Sequence, residues 1–146
     1  VGRDAVLMLE DDAERVGRFT AALRRADPSL RLVVWRSARR MLGELADLLP
    51  SARLISLDHD LDPDITAPGD PGDGLDVAKW LADRPPACPV IVHTSNGVRG
   101  DAMMGELELG GWTRRRVLPL GDDWIEVDWY RVVRRLLRRT RREGHR

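Results

Sequence analysis

The chain has 146 residues, 16.5 kDa and 42% hydrophobic side chains, enough apolar material for one globular domain spanning 1–146 and too little for a second. Its 24 basic and 24 acidic residues cancel, which excludes a uniformly basic nucleic-acid coat or an acidic solvating tail, so any electrostatic function must be local. One cysteine, Cys88, excludes an intramolecular disulfide framework and a Cys-rich zinc site, and fits a reducing compartment.

The opening VGRDAVLMLEDD lacks the basic-then-apolar layout of a signal peptide, and no run approaches the length of a membrane span, so the expected location is the cytoplasm. Val1 in place of Met leads us to expect a trimmed start or an alternative start codon. Ala5–Leu9 (AVLML) reads as a first strand, followed by a helix with a Val16, Phe19 and Leu23 stripe. Leu32–Trp35 is a second strand, and Leu42, Leu45 and Leu49 mark a second helix. After a third strand, Leu54–Leu57, comes an irregular Pro/Gly-rich insertion, Asp62–Gly72, which is expected to form a mobile lid. Val77, Trp80 and Leu81 mark the third helix, Val90–Val92 the fourth strand, and Met103, Met104 and Leu107 a fourth helix closed by Gly110–Gly111. Arg116–Leu120 (RVLPL) reads as the fifth strand, and an arginine-rich helix over about 128–142 ends the chain. Near-continuous apolar strands alternating with amphipathic helices predict an α/β fold: a doubly wound, five-stranded parallel sheet in three α/β/α layers.

Two blocks break the neutral average. Asp58 to Asp76 holds seven Asp and no Lys or Arg, whereas Trp129 to Arg146 holds eight Arg against the single Glu143. The arginines fall between Trp129, Val132, Val133, Leu136 and Leu137, so a solvated helix face, a homodimer face and an RNA-holding face all stay open. Trp112 and Trp124 stack on a base or pack against this helix.

In an open parallel sheet, ligands bind beyond the carboxyl ends of the strands. There the first strand runs into Glu10-Asp11-Asp12, the third into Asp58-His59-Asp60 and the fourth into His93-Thr94-Ser95-Asn96. Asp11, Asp12 and Asp58 form the expected ligand set for a divalent cation, Mg²⁺ first and Mn²⁺ second, with helix capping the alternative for Asp11 and Asp12. His59 and His93, with Asp58, are the catalytic candidates, the imidazoles serving as base and acid if strand alternation lets them share a cleft. Thr94, Ser95, Asn96 and Arg99 are candidate phosphate-binding residues, and Asp60 supports a histidine or the metal. Cys88, before Pro89 at a strand start, is expected to be structural.

LEDD at Leu9–Asp12, Asp58, DGLDVAKWL at Asp73–Leu81 and PVIVHTS at Pro89–Ser95 resemble a response-regulator receiver domain of flavodoxin-like fold. Two features depart from it. Leu118-Pro119 stands where receivers carry Lys-Pro, with Lys79 the only lysine, and the insertion after Leu61 lengthens a normally short loop. LEDD, LDHDL at Leu57–Leu61, the Gly-Asp turn before a helix ending KWL, and His93-x-Ser95-Asn96 are similar to the cyclic-phosphate processing receiver-like family. That resemblance implies a metal-assisted hydrolase of the cyclic phosphodiesterase type, acting on cyclic phosphates of nucleotides or RNA ends. It carries over to Asp11, Asp12, Asp58, His59, Asp60, His93, Ser95 and Asn96, with Thr94 placed by its receiver-like position. The alternative is a non-enzymatic, degenerate receiver that binds partners.

Overall fold

The computed structural model of the chain describes residues 2–62 and 69–144, the last five of these by backbone alone. Strands and helices alternate: β1 (Ala5–Leu9), α1 (Ala13–Ala26), β2 (Arg31–Trp35), α2 (Ala38–Leu48), β3 (Ala52–Leu57), α3 (Gly74–Ala82), β4 (Val90–Val92), α4 (Gly97–Leu109), β5 (Arg114–Arg116) and α5 (Tyr130–Gly144). A 3₁₀ turn, Leu49–Ser51, precedes β3, and a π-helical turn, Ile125–Trp129, leads into α5. All strand pairs are parallel, in the order β2-β1-β3-β4-β5. The chain reverses its winding direction between β1 and β3, the switch point where such sheets open a crevice.

The sheet is covered on both faces, and period-two alternation sorts its side chains. Val6, Met8, Leu54, Ile91 and Val117 meet α1 and α5, packing with Phe19, Leu23, Trp129 and Val133. Leu7, Leu9, Ile55, Leu57, Val90 and Val92 meet α2, α3 and α4, packing with Met41, Leu45, Leu81 and Met103. Trp112, expected against ligand or last helix, is fully buried in this second cluster, its indole N–H donating to the Leu81 carbonyl at 2.9 Å. Trp124 is also core, against Phe19. Neither indole is free to stack on a base.

The fifth strand lies earlier than the expected Arg116–Leu120. β5 is Arg114–Arg116, and Leu118 and Leu120 beyond it are exposed. An edge strand needs no apolar run, because one side of its ladder faces solvent and charge there blunts pairing with other chains. Most of the expected lid, residues 63–68, lies outside the described residues. The flanks are tied down: the Pro71 carbonyl accepts from the Arg39 N–H at 3.1 Å and the Ser37 hydroxyl at 3.3 Å, and the Asp62 N–H donates to Asp11 Oδ2. Among the described residues, no helix is long and apolar enough to cross a membrane.

Candidate active site

The sheet ladder continues one residue past three strands. Glu10 N–H donates to the Trp35 carbonyl at 3.0 Å, Asp58 N–H to Leu9 at 3.0 Å, and His93 N–H to Leu57 at 2.9 Å. Alternation then decides where these side chains go. Glu10 follows Val6 and Met8, Asp58 follows Leu54 and Ser56, and His93 follows Ile91, so all three lie on the α1/α5 side. One ligand atom from each lies within 4.8 Å of the other two, and all three residues are buried. Glu10 and Asp58 flank the switch point itself.

A hydrogen-bond chain fixes this cluster from below. Trp129 Nε1–H donates to Ser56 Oγ at 3.1 Å; Ser56 Oγ lies 2.7 Å from His93 Nδ1; His93 Nε2 lies 3.2 Å from Glu10 Oε1. The other Glu10 oxygen accepts from the Asp11 and Asp12 N–H groups at 3.1 and 3.2 Å. Phe19 and Trp124 wall the imidazole, at centroid distances of 5.0 and 6.2 Å. Arg15 sits at the margin, 3.8 Å from Glu10 Oε1 and over the Trp124 ring.

The electrostatics separate the two acids. Burial pushes Glu10 up, but its hydrogen bond to His93, the His93 and Arg15 charges and the Asp12 N–H outweigh it and hold the carboxyl below its ordinary value. Asp58 is pushed up to about 6, first by burial and then by the Glu10 charge, against the pull of His93, the His59 N–H and Arg15. The pull of those groups does not offset the cost of its burial.

The expected metal set of Asp11, Asp12 and Asp58 is not the set that converges. Asp12 is exposed and caps α1, its Oδ1 accepting from the Arg15 N–H at 3.1 Å. Asp11 is half-buried and raised, by burial first and then by Glu10 and Asp62, while its Oδ2 takes the Asp62 N–H. Glu10, absent from that set, is the carboxylate that lies with Asp58 and His93. Counting back by two from Glu10 to Met8 and Val6 carries the signal in sequence that singles it out.

The histidines occupy opposite sides of the sheet edge. His59 follows Leu57 toward α3, with Nδ1 2.8 Å from Asp60 Oδ1 and Nε2 3.5 Å from Asp73 Oδ2. Its buried Nε2 has no hydrogen-bond partner among the described residues. Asp60 also faces Asn96 Nδ2, at 3.4 Å, while Asn96 Oδ1 caps α4 through the Arg99 N–H at 3.0 Å. Thr94 is buried and its Oγ1 accepts the Asn96 N–H at 3.1 Å, whereas Ser95 and Arg99 are exposed on the rim. Cys88, half-buried, has its thiol pushed up to about 12 by burial, as a structural thiol would.

Two further residues hold the rim. Arg116 passes beneath Gly100 of α4 and donates to the Thr94 carbonyl at 2.6 Å, pinning the β4–α4 loop; a Cβ at Gly100 would lie 2.3 Å from its guanidinium. Gly74 opens α3 against β3: a Cβ there would lie 2.0 Å from the Asp58 carbonyl oxygen.

The sequence matches the family model described as Cyclic-phosphate processing Receiver domain over residues 6–109. No curated protein matches it. Among solved structures, the response regulator receiver domain from Rhodospirillum rubrum is 20% identical, with 93% of each chain covered and a TM-score of 0.63. The Mn(2+)-bound form of response regulator Rcp1 is 18% identical over 90% of this chain and 89% of that one, with a TM-score of 0.62. A DNA-binding response regulator of the LuxR family from Staphylococcus aureus is 13% identical over 92% and 98%, with a TM-score of 0.65. At such identities the likeness shows the fold alone, and that fold is the receiver fold.

Proposed function

Because the chain belongs to the cyclic-phosphate processing receiver domain family, we propose that it is a metal-assisted phosphoesterase opening cyclic phosphates on nucleotides or RNA ends. The observation that carries this reading is the buried convergence of Glu10, Asp58 and His93 at the sheet's switch point. Two carboxylate oxygens and one imidazole nitrogen suit a divalent cation, and the nitrogen favours Mn²⁺ over Mg²⁺. The raised Asp58 is the mark of a carboxylate short of positive charge. Rcp1, which shares the fold, has an Mn(2+)-bound form. Such a cation supplies charge neutralisation at phosphoryl oxygens and a water of lowered pKa.

The chain's own groups divide the remaining work. His93, with Nδ1 held by Ser56 and Nε2 beside Glu10 Oε1, would hold the cation rather than move a proton. His59 has Nδ1 fixed by Asp60 and keeps Nε2 without a hydrogen bond, so proton transfer falls to His59, with Asp60 holding its tautomer. Ser95, Asn96 and Arg99 at the rim are the groups placed to meet phosphate oxygens; Thr94, turned into its own loop, positions Asn96. Hydrolysis adds water at phosphorus, breaks one ring P–O bond and leaves a proton on the departing oxygen.

Incubation with 2′,3′-cyclic nucleotides and Mg²⁺ or Mn²⁺ tests this. Turnover that His93→Ala removes is expected; no turnover of any cyclic phosphate by the wild type overturns it.

A second reading, a non-enzymatic receiver that binds partners, is favoured by Asp58 itself, which occupies the receiver phosphoacceptor place in a complete receiver fold. Leu118-Pro119 in place of Lys-Pro weighs against phosphorylation-driven switching. Labelling at Asp58 by acetyl phosphate, without cyclic-phosphate turnover, would establish this second reading.

A further inference from the structure

α5 lies beyond residues 6–109, so nothing in the family match accounts for it. Its inner face is core: Val133, Leu136 and Leu137 are buried behind Trp129. Its outer face lines a cleft of about 350 Å³ with Arg131, Arg134, Arg135 and Arg138, beside Tyr130 and Glu126. These arginines are spaced by three and four residues, so they form one stripe, and like charges at that spacing destabilise a bare helix.

Among the described residues, none of the four has an ion-pair partner. Glu126, the one acid on the cleft wall, is taken by Arg18, whose Nε and Nη2 donate to its two oxygens at 2.9 and 2.8 Å. That pairing, through the hydrogen bond first, holds Glu126 below its ordinary value and so keeps it committed. Tyr130 adds no anion: Arg25 of α1 lies 4.4 Å over its ring and Arg134 lies 5.7 Å from it. A cleft lined by unmatched guanidinium forks fits a chain of phosphates, each able to take a bidentate contact.

From this we infer that the α5 cleft binds the phosphate backbone of single-stranded RNA, and that the substrate is an RNA terminus rather than a free nucleotide. The binding stands on the cleft alone; the assignment of RNA as substrate rests on the phosphoesterase reading, since a 2′,3′-cyclic phosphate needs the ribose 2′-oxygen. A second copy of the chain is the poorer occupant, because a two-fold contact across this stripe sets arginine against arginine.

The test uses the full chain and a short single-stranded RNA ending in a 2′,3′-cyclic phosphate, with binding followed by fluorescence anisotropy in EDTA. If four phosphates are neutralised, affinity falls roughly fifty-fold between about 50 and about 200 mM salt. The fourfold variant Arg131→Gln, Arg134→Gln, Arg135→Gln, Arg138→Gln should bind weakly at every salt, with its helix content by circular dichroism retained. Equal RNA affinity in wild type and variant overturns the inference, as does a wild-type dimer in sedimentation that the variant abolishes without change in RNA affinity. Hydrolysis of the RNA's terminal cyclic phosphate and of a cyclic mononucleotide, both in Mn²⁺, reads the reaction centre separately: faster turnover of the RNA by the wild type, lost in the variant, is expected, equal turnover of the two substrates overturns the RNA terminus as substrate, and RNA binding with hydrolysis of neither removes the phosphoesterase reading and leaves the cleft as an RNA-binding surface.

Discussion

His93 Nε2 lies 3.2 Å from Glu10 Oε1, and neither side chain has any exposed surface. Glu10, held below its ordinary value, is ionised and accepts only, so Nε2 carries the hydrogen in this pair. Ser56 Oγ accepts from Trp129 Nε1 and can either donate its own O–H to His93 Nδ1 or accept from it, so every polar atom of the chain from Trp129 to Glu10 finds a partner. A metal at Nε2 requires the opposite tautomer, and rotation of the Ser56 hydroxyl accommodates it, because its oxygen can accept from both Nδ1–H and Trp129. Ser56→Ala strands two buried nitrogens, and chemical denaturation should show a loss of about 2 kcal/mol. An unchanged denaturation midpoint would show that the chain from Trp129 to His93 contributes nothing.

Asp58 sets the pH dependence of the metal-free protein. Its carboxyl is pushed up to about 6 in the fold, above its unfolded value, so the fold favours the protonated form. That contribution is complete below about pH 4 and is lost as pH rises through about 6, a change on the order of 3 kcal/mol. Asp58→Asn should therefore be more stable than wild type in EDTA at neutral pH, and the gap should close near pH 4. A gap independent of pH would mean that Asp58 is already compensated in the fold.

Gly74→Ala tests the close approach of α3 to β3. A Cβ 2.0 Å from the Asp58 carbonyl oxygen and 2.8 Å from Met103 Cε forces backbone apart from backbone, with an expected loss of about 3 kcal/mol. Gly97→Ala, whose Cβ meets nothing within 4 Å, is the control and should stay within about 0.5 kcal/mol. Equal melting of the two variants would contradict the packing.

The two histidines should fail differently. His93→Ala is expected to lower Mn²⁺ affinity at least tenfold, the scale on which even a supporting residue of a metal site acts. His59→Ala, on the α3 side, should leave Mn²⁺ affinity unchanged while lowering turnover of a 2′,3′-cyclic nucleotide by about a hundredfold or more. Titration calorimetry and single-turnover kinetics separate the two; a matched loss of Mn²⁺ affinity in both variants would place both rings at one ion.

Much of this was legible in the residues. β1 is a continuous apolar run because both its faces are covered, and β1 and β4 lie where AVLML and VIV put them. β5 was misplaced because an edge strand of three arginines has no apolar pattern to read, while the run that imitates one, Val117–Leu120, carries the chain out to solvent. At the strand ends the sequence shows which residue types gather, while the facing of each side chain is set by the pleat and by where the chain turns. Three acids follow β1 in sequence: Glu10 is in phase with Met8 and Val6, Asp11 is not, and Asp12, though in phase, lies where the chain already turns into α1. The same period of two divides His59 from His93. Trp129 was unreadable as a site residue, because its contact with Ser56 joins positions 73 apart across the π-helical turn.

The most direct test is diffraction from crystals soaked in Mn²⁺, recorded at the manganese absorption edge. The expected result is one anomalous peak bonded to Glu10, Asp58 and His93, lost in Glu10→Gln crystals. A peak on Asp11 and Asp12 away from His93, or no peak at the switch point at saturating Mn²⁺, would contradict the assignment of this trio as the cation site.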